Sequence, residues 1–485
     1  MAGSNRNGLN RRELGRLAAG AGLAGGALSS GVVRAAGAAG SMTRPFPDKF
    51  LWGCATASYQ IEGGVHEGGR GPTIWDVFSH TPGKVANGDT GDVACDSYHR
   101  YPQDVALLKA LGVSSYRMSI AWSRIFPDGR GKPNAAGLDY YKRVIDALHA
   151  AGIEPYVTLF HWDLPSRLPG EWQNRDTAYA YADYAGYTAR ALGDRVRHYM
   201  TVNELRCFTD LSHLQGIHAP GLKLGAKAVN QVRHHGVLAH GLGVQALRAN
   251  APSGTQVGIA DNTVIYVPVM ETPEHIAAAR AATRAENAMF LTAIMEGRYL
   301  DSYLAGAGAD APVVKPGDMA AIGSKLDFLA LNVYAPEWAR ASDNAKGYET
   351  IGHLPQSPHM ASPWLYVGPE VAYWAVRHAS ELWHPSTIYI SENGSSADDQ
   401  MINGRVDDVD RVMYLRNYLG QFHRAIDDGF PLKGYFLWSL MDNFEWADGY
   451  TKRFGIHYTD FATQQRIPKL SAKWYSEVIR RNALV

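Results

Sequence analysis

The sequence predicts an α/β protein built as a single (β/α)8 barrel with elaborated βα loops at its C-terminal face. Three observations carry that expectation. Short apolar, strand-like runs recur eight times, helical periodicity fills the intervals, and polar or aromatic residues gather where the runs end. The candidate strands span 50–57, 115–119, 155–161, 198–203, 256–261, 328–332, 387–392 and 434–438. Several are continuously apolar, as strands buried on both faces must be. In one interval Leu138, Tyr141, Val144, Ile145 and Leu148 recur at helical spacing, and in another Val105, Leu108 and Leu111 share a face. Alternation alone fits a doubly wound sheet as well. The strand ends tip the balance. Gln60 comes soon after the first run, His161 and Trp162 after the third, and Asn203 and Glu204 after the fourth. Asn332 and Tyr334 follow the sixth, Glu392 the seventh and Trp438 the eighth. A parallel barrel collects such residues at one mouth.

Bulk properties are compatible with this. The chain has 485 residues, 46% hydrophobic and 19% charged, and α/β barrels reach such lengths as one domain. With no formal net charge and a pI near 7.3, it carries no electrostatic footprint for nucleic acid or an anionic membrane. Aromatics make up 11%, which fits either a large core or a site that stacks on flat apolar rings. Cys54, Cys95 and Cys207 are too few and too scattered for a disulfide framework or zinc site, and read as small buried residues. His235 and His240 lie five apart, the wrong spacing for a shared metal face on a helix, and HExxH does not occur. No metal or cofactor is therefore expected, and nothing in the pattern specifies an oligomer.

Residues 1–41 differ in composition, being rich in Gly and Ala. Arg11-Arg12 precede a weakly apolar run from Leu17 to Leu28, with small residues around Ala35 to Ala39. The segment resembles a twin-arginine export signal, which implies a periplasmic or secreted protein with 42–485 as its barrel domain. A start at Met42 would instead imply a cytoplasmic one. The run is too short and Gly-rich to span a membrane. Gly20, Gly22 and Gly25 fit GxGxxG, but no strand precedes them and the match is compositional.

Two glutamates follow β-branched, apolar-rich runs: Thr201-Val202-Asn203-Glu204 and Ile390-Ser391-Glu392-Asn393-Gly394. Paired carboxyls of this kind suit glycosidic bond cleavage, one attacking the anomeric carbon and the other exchanging a proton with the leaving oxygen and then with water. Taken singly, a strand-end Glu more often caps the next helix.

Longer segments give the pair a context. FLWGCATASYQIEGG (50–64), ACDSYHRYPQDVALLKALGVSSYRMSIAWSRI (94–125), FHWDLP (160–165), TVNE (201–204), ISENG (390–394) and WSLMDNFEWADGYTKRFGI (438–456) occur in this order. From about Phe46 onward the chain resembles glycoside hydrolase family 1, the β-glucosidase family. The resemblance implies a retaining enzyme acting on terminal β-D-glucosyl residues of small β-glucosides or oligosaccharides, with β-galactosyl or β-fucosyl side activity within reach. It makes Glu392 the nucleophile and Glu204 the acid/base. Gln60, His161, Trp162, Asn203, Asn332, Glu445 and Trp446 become sugar-binding residues. Trp438 and Phe454 become walls of the pocket, and Arg117 and Tyr334 become partners that keep Glu392 ionised. The amide of Asn203 is expected to donate to the sugar's 2-hydroxyl, and Glu445 to accept two hydroxyls. Members that take 6-phosphorylated glycosides lack the Glu-Trp pair, so Glu445 implies unphosphorylated substrates.

The pattern breaks beyond Glu204. The family usually continues with Pro and often Trp, whereas Leu205 and Arg206 stand here, then Cys207; Val333 also replaces a Tyr. An inward Arg206 would depress Glu204, and an outward one would reshape the leaving-group side. Transfer to an acceptor sugar and non-catalytic sugar binding are the competing readings.

Overall fold

The computed structural model describes residues 45–485; the leader assigned to 1–41 lies outside the described residues. Eight parallel strands close into a barrel in chain order: β1 (Leu51–Ala55), β2 (Ser115–Ser119), β3 (Glu154–Phe160), β4 (His198–Asn203), β5 (Gln256–Asp261), β6 (Phe328–Asn332), β7 (Ile388–Asn393) and β8 (Leu432–Trp438). Pairing of β8 with β1, from Leu51↔Gly434 to Ala55↔Trp438, seals the ring. The expected (β/α)8 architecture is therefore the observed one. Bounds of β2, β4, β5 and β6 coincide with the expected runs, while β1 stops at Ala55 because Ser58–Ile61 turns into a short helix that carries Gln60.

Eight long helices pack outside: α1 (Ser97–Leu111), α2 (Ala135–Ala150), α3 (Asp176–Leu192), α4 (Ala226–Asn250), α5 (Pro273–Glu286), α6 (Glu370–Trp383), α7 (Val409–Asp427) and α8 (Leu470–Arg481). The stripe Leu138, Tyr141, Val144, Ile145 and Leu148 is the buried face of α2. Pro273 opens α5, where the missing N–H has no partner to lose.

Strand alternation builds two cores. Ala55, Tyr156, Met200, Ala260, Phe328, Ala330, Phe436 and Trp438 fill the barrel interior. Val157, Tyr199, Val257, Ile259, Leu329, Ile390 and Leu437 face the helices. Period-two alternation sends successive residues to opposite faces, and here both faces are dry. No helix among the described residues is long and apolar enough to cross a membrane.

An ion network fastens the loops after β7 and β8 to α8. Arg411 pairs with Asp408 and Asp399, Lys469 with Asp399 and Asp442, and Arg453 with Asp442. All of these side chains but Arg453 are essentially sealed from solvent. Their mutual pairing is what makes burial of so many charges tolerable.

Candidate active site

Both glutamates sit where a barrel strand breaks its regular pairing. The β4 register slips between Met200 and Asn203, and the β7 register between Ile390 and Glu392. Such irregularities re-aim side chains at strand ends. Glu204 itself adopts a positive φ of 50°, and Trp446 (50°) and Trp162 (72°) share this left-handed region. Non-glycine residues held in this region signal a backbone constrained for function. Gly394 permits the close approach of β7 and β8: a Cβ there would stand 1.7 Å from the Trp438 carbonyl oxygen.

The partners of the two carboxyls differ in kind. Glu392 receives Arg117 Nη1 on Oε1 and the Tyr334 hydroxyl on Oε2 at 2.9 Å. Arg117 is fully buried and also donates to the Ser391 carbonyl (3.2 Å), to Asn203 Oδ1 (2.6 Å) and to the Thr158 hydroxyl (3.2 Å). Glu204 has no cation of its own. Its Oε1 accepts from Asn332 Nδ2 at 2.7 Å and its Oε2 from the Cys207 thiol at 3.1 Å. Asn332 is fixed in turn by the Ser391 hydroxyl on its Oδ1 (2.6 Å).

These environments set the protonation states. Burial raises Glu204 to about 8, with the Glu392 charge adding to the rise and Asn332, Cys207 and Arg117 opposing it. Burial also raises Glu392, but Arg117, Tyr334 and Asn332 hold that rise back. Arg117 and Tyr334 stand where the sequence expected them, on the two oxygens of Glu392, and favour its ionised form against the cost of burial. Burial pushes Glu445 well up, with Asp448, Glu392 and Glu204 adding to the rise and the Gln60 amide opposing it.

Unpartnered polar atoms mark where a ligand would be held. Gln60 directs Nε2 to Asn443 Oδ1 (3.0 Å) and the Phe444 carbonyl (2.9 Å), leaving its buried Oε1 without a partner. Burial, with the Arg117 charge, keeps His161 neutral. Asn203 Nδ2 donates to His161 Nε2 (3.0 Å), which places the ring proton on Nδ1, buried and unpartnered. The free acceptor of Gln60 lies near the Glu445 carboxyl, whose Oε2 is 3.4 Å from the Gln60 amide nitrogen, and the free N–H of His161 belongs to a ring 5.9 Å from that of Trp446, the next residue. Buried polar atoms left unpaired in a folded protein point to a missing partner.

The aromatic residues divide. His161 lies between Trp438 and Trp446, 5.9 Å from each and nearly parallel to both. Phe454 packs with Trp438 in the interior cluster. Trp162, expected to bind sugar, donates its indole N–H to the Asn203 backbone carbonyl at 3.0 Å and sets its ring 4.5 Å from that of Trp446. Asn203, expected to reach the 2-hydroxyl, donates one amide N–H to His161 and accepts from Arg117 on Oδ1, and its second amide N–H is the one suited to a hydroxyl.

Arg206 is turned away from Glu204. It donates to the Glu286 carbonyl at 3.1 Å, pairs with the Glu286 carboxylate at 3.4 Å and lies over the Phe290 ring. Leu205 is buried, and its N–H, which a proline would lack, faces the Asp261 carboxyl. Burial raises that carboxyl to about 6, with the Thr263 hydroxyl, the Arg206 charge and this N–H opposing the rise. Two further residues carry no sequence signal of their own. One is Cys207, whose contact depends on a wide helical turn; the other is Trp364, half-exposed, whose ring lies 6.4 Å from Phe454 and 5.7 Å from Tyr334. Among the described residues no group of side chains could hold a metal ion.

Known proteins share this design. The profile of Glycosyl hydrolase family 1 matches residues 42–484. Beta-glucosidase A of Thermotoga maritima is 44% identical over 445 residues, covering 91% of this chain and 99% of the relative. The bifunctional beta-D-glucosidase/beta-D-fucosidase of Bifidobacterium breve is 42% identical over 90% of this chain and 99% of its own length. A solved family 1 β-glucosidase from Thermotoga maritima superposes with a TM-score of 0.84 at 42% identity, covering 92% of this chain and all of that one. Matched in profile, in relatives and in solved structure along nearly its whole described length, the chain belongs to glycosyl hydrolase family 1.

Proposed function

We propose that this hydrolase is a retaining β-glucosidase that removes terminal, non-reducing β-D-glucosyl residues from unphosphorylated glucosides and short oligosaccharides. The observation that carries the reading is the unequal treatment of two buried carboxyls, one gripped by Arg117 and the other by neutral donors alone. Glu392, as carboxylate, attacks the anomeric carbon while Glu204 gives its proton to the departing oxygen. Esterification then removes the Glu392 charge that holds Glu204 up, so the affinity of Glu204 for its proton drops and it serves as the base that activates water. Retention by this route needs carboxyls ~5–5.5 Å apart, and the contact of Asn332 with both groups is in keeping with such closeness.

Several features support the substrate class. The unpaired Gln60 oxygen, the His161 N–H and Glu445 suit adjacent sugar hydroxyls, and a phosphate would add negative charge where Glu445 already stands among the carboxyls of Asp448, Glu392 and Glu204. Relatives named as β-glucosidases favour the glucosyl unit. The Bifidobacterium enzyme, named for fucosidase activity too, favours tolerance of a changed sugar. Transfer to an acceptor sugar uses the same intermediate, and product analysis with excess acceptor measures its share. Export by residues 1–41 belongs to the proposal, on the Arg11-Arg12 pattern, and N-terminal sequencing of the native protein tests it.

The decisive experiment uses an aryl β-glucoside with wild type, Glu392→Gly and Glu204→Gly. Wild type turns it over; Glu392→Gly does not, and azide restores turnover with an α-glucosyl azide product. With Glu204→Gly, azide gives the β-azide. An inactive wild type would overturn the enzymatic reading, and the opposite azide anomers would exchange the two roles.

A further inference from the structure

The two oxygens of Glu204 have unlike partners. Asn332 Nδ2 reaches Oε1 at 2.7 Å, and its amide can only donate there. Cys207 Sγ reaches Oε2 at 3.1 Å, and a thiol can donate or accept. The sulfur is fixed from behind by Asn262 Nδ2 at 3.2 Å. Its placement follows from the backbone. Glu204 takes a left-handed φ, the Cys207 N–H returns to the Glu204 carbonyl at 3.0 Å, and a π-helical run begins at Cys207. The side chain three residues on is thereby folded back over the carboxyl, in a pocket where Cys207 is only 9% exposed.

We infer that Cys207 is a positioning residue for the acid/base, a partner that reverses its hydrogen-bonding role as Glu204 loses and regains its proton. The inference rests on the reading of Glu204 as acid/base. With Glu204 ionised, the thiol donates to Oε2. With Glu204 protonated, Asn332 still needs an acceptor at Oε1, so the proton resides on Oε2 beside the sulfur. Sulfur accepts weakly, which leaves that proton free to move to the leaving oxygen. No atom of Cys207 reacts, and no bond to sulfur forms or breaks.

The other charges facing Glu204 are known. Glu392 from β7 opposes its ionisation and Arg117 from β2 favours it. Tyr334, after β6, and Glu445, after β8, also feel the Glu204 charge. Arg206 stands behind the sulfur but is engaged with Glu286 and, at 3.9 Å, with Asp210. Removing the thiol deprives the carboxylate of a donor and the acid of an acceptor. The first loss is the larger, because the bond to the ionised form is charge-assisted. Glu204 should therefore hold its proton to higher pH.

The test is kcat/KM against pH for wild type, Cys207→Ala and Cys207→Ser. Two substrates are used: an alkyl β-glucoside, whose leaving group needs the proton, and a dinitrophenyl β-glucoside, whose leaving group does not. With the alkyl substrate the alkaline limb of Cys207→Ala moves up by about 0.5–1 pH unit, the worth of one weak hydrogen bond. Cys207→Ser keeps a reversible hydroxyl, and its limb stays at or below the wild-type position. With the dinitrophenyl substrate, whose departure needs no proton, the alkaline limb of neither variant follows the movement seen with the alkyl substrate. An Ala limb superimposed on wild type, or a Ser limb that rises, overturns the inference. Should Cys207→Ala fail to fold, the Ser limb decides alone. Glu204→Gln separates the underlying reading: if it hydrolyses the alkyl glucoside like wild type, Glu204 is not the acid. If it fails there while Cys207→Ala leaves the limb in place, only the role of Cys207 falls.

Discussion

Replacing Tyr334 by Phe removes one hydrogen bond from Glu392 and little else. The phenol donates to Oε2 at 2.9 Å. The ring is held edge-on to Trp364 and Phe454, and the residue's own carbonyl is held by the Tyr418 hydroxyl at 2.8 Å, so the substituted ring keeps its place. A hydrogen bond to an ionised group contributes about 1.5–3 kcal/mol. At 1.36 kcal/mol per pH unit this corresponds to about 1–2 units. The sign follows from the protonation state favoured: the phenol stabilises the carboxylate, so its loss raises the pKa. The nucleophile must be ionised to attack, so the acid limb of kcat/KM moves to higher pH by that amount. The alkaline limb shifts less, as the pair titrates jointly through the Glu392 charge. The assay is kcat/KM for a dinitrophenyl β-glucoside across the acid and neutral range, beside a thermal melt. An unmoved acid limb at unchanged melting temperature would refute the reasoning and leave Arg117 alone in control of Glu392.

Three further outcomes are expected. Arg117→Met strands a buried carboxyl and the Asn203 oxygen; chemical denaturation at neutral pH should register a loss of about 3–5 kcal/mol, with hydrolysis falling in parallel. Glu204→Gln removes a carboxyl whose pKa is raised by folding, from the ordinary range to about 8. Such a group stabilises fully below its unfolded value and loses that stabilisation as pH rises toward the folded one, so the variant should melt above wild type at pH ~8 and not at pH ~4. Trp364→Ala removes a half-exposed indole beside Tyr334 and Phe454, and KM for aryl glucosides should rise by roughly 2- to 10-fold, the worth of one aromatic pair, with kcat little changed.

The barrel was legible because its signal is local. Strand β6 is a short apolar run with a polar end, β5 an apolar run between Gln256 and Asp261, and β2 and β4 are short segments set between helical periodicities, a recurrence that a parallel barrel explains. Gly394 was equally legible, as part of ISENG, although its reason, the Trp438 carbonyl at its back, is visible only in three dimensions. What escaped the sequence depends on direction. Cys207 read as an inert small residue, since nothing in the string says that the turn after β4 widens and folds position 207 over Glu204. The two orientations open to Arg206 were decided by Glu286 and Phe290, some eighty residues away. That Trp162, Asn203, His161 and Arg117 also hold one another was equally out of reach, because those contacts join separate motifs. The ion network around Arg411 and Lys469 was invisible for the same reason, being assembled from positions as far apart as 399 and 469.

The seam between β1 and β8 has a consequence for the life of the molecule. Gln60 comes from the short helix just after the opening strand, while Glu392, Glu445 and Trp446 come from the final quarter of the chain, and the two sides of the seam are stitched together where the Phe46 N–H meets the Asn482 carbonyl at 2.7 Å. A growing or clipped polypeptide lacking its last strands has neither a closed ring nor half of its pocket. It has no partial function to misuse, because recognition and chemistry come into being with the same late, long-range closure.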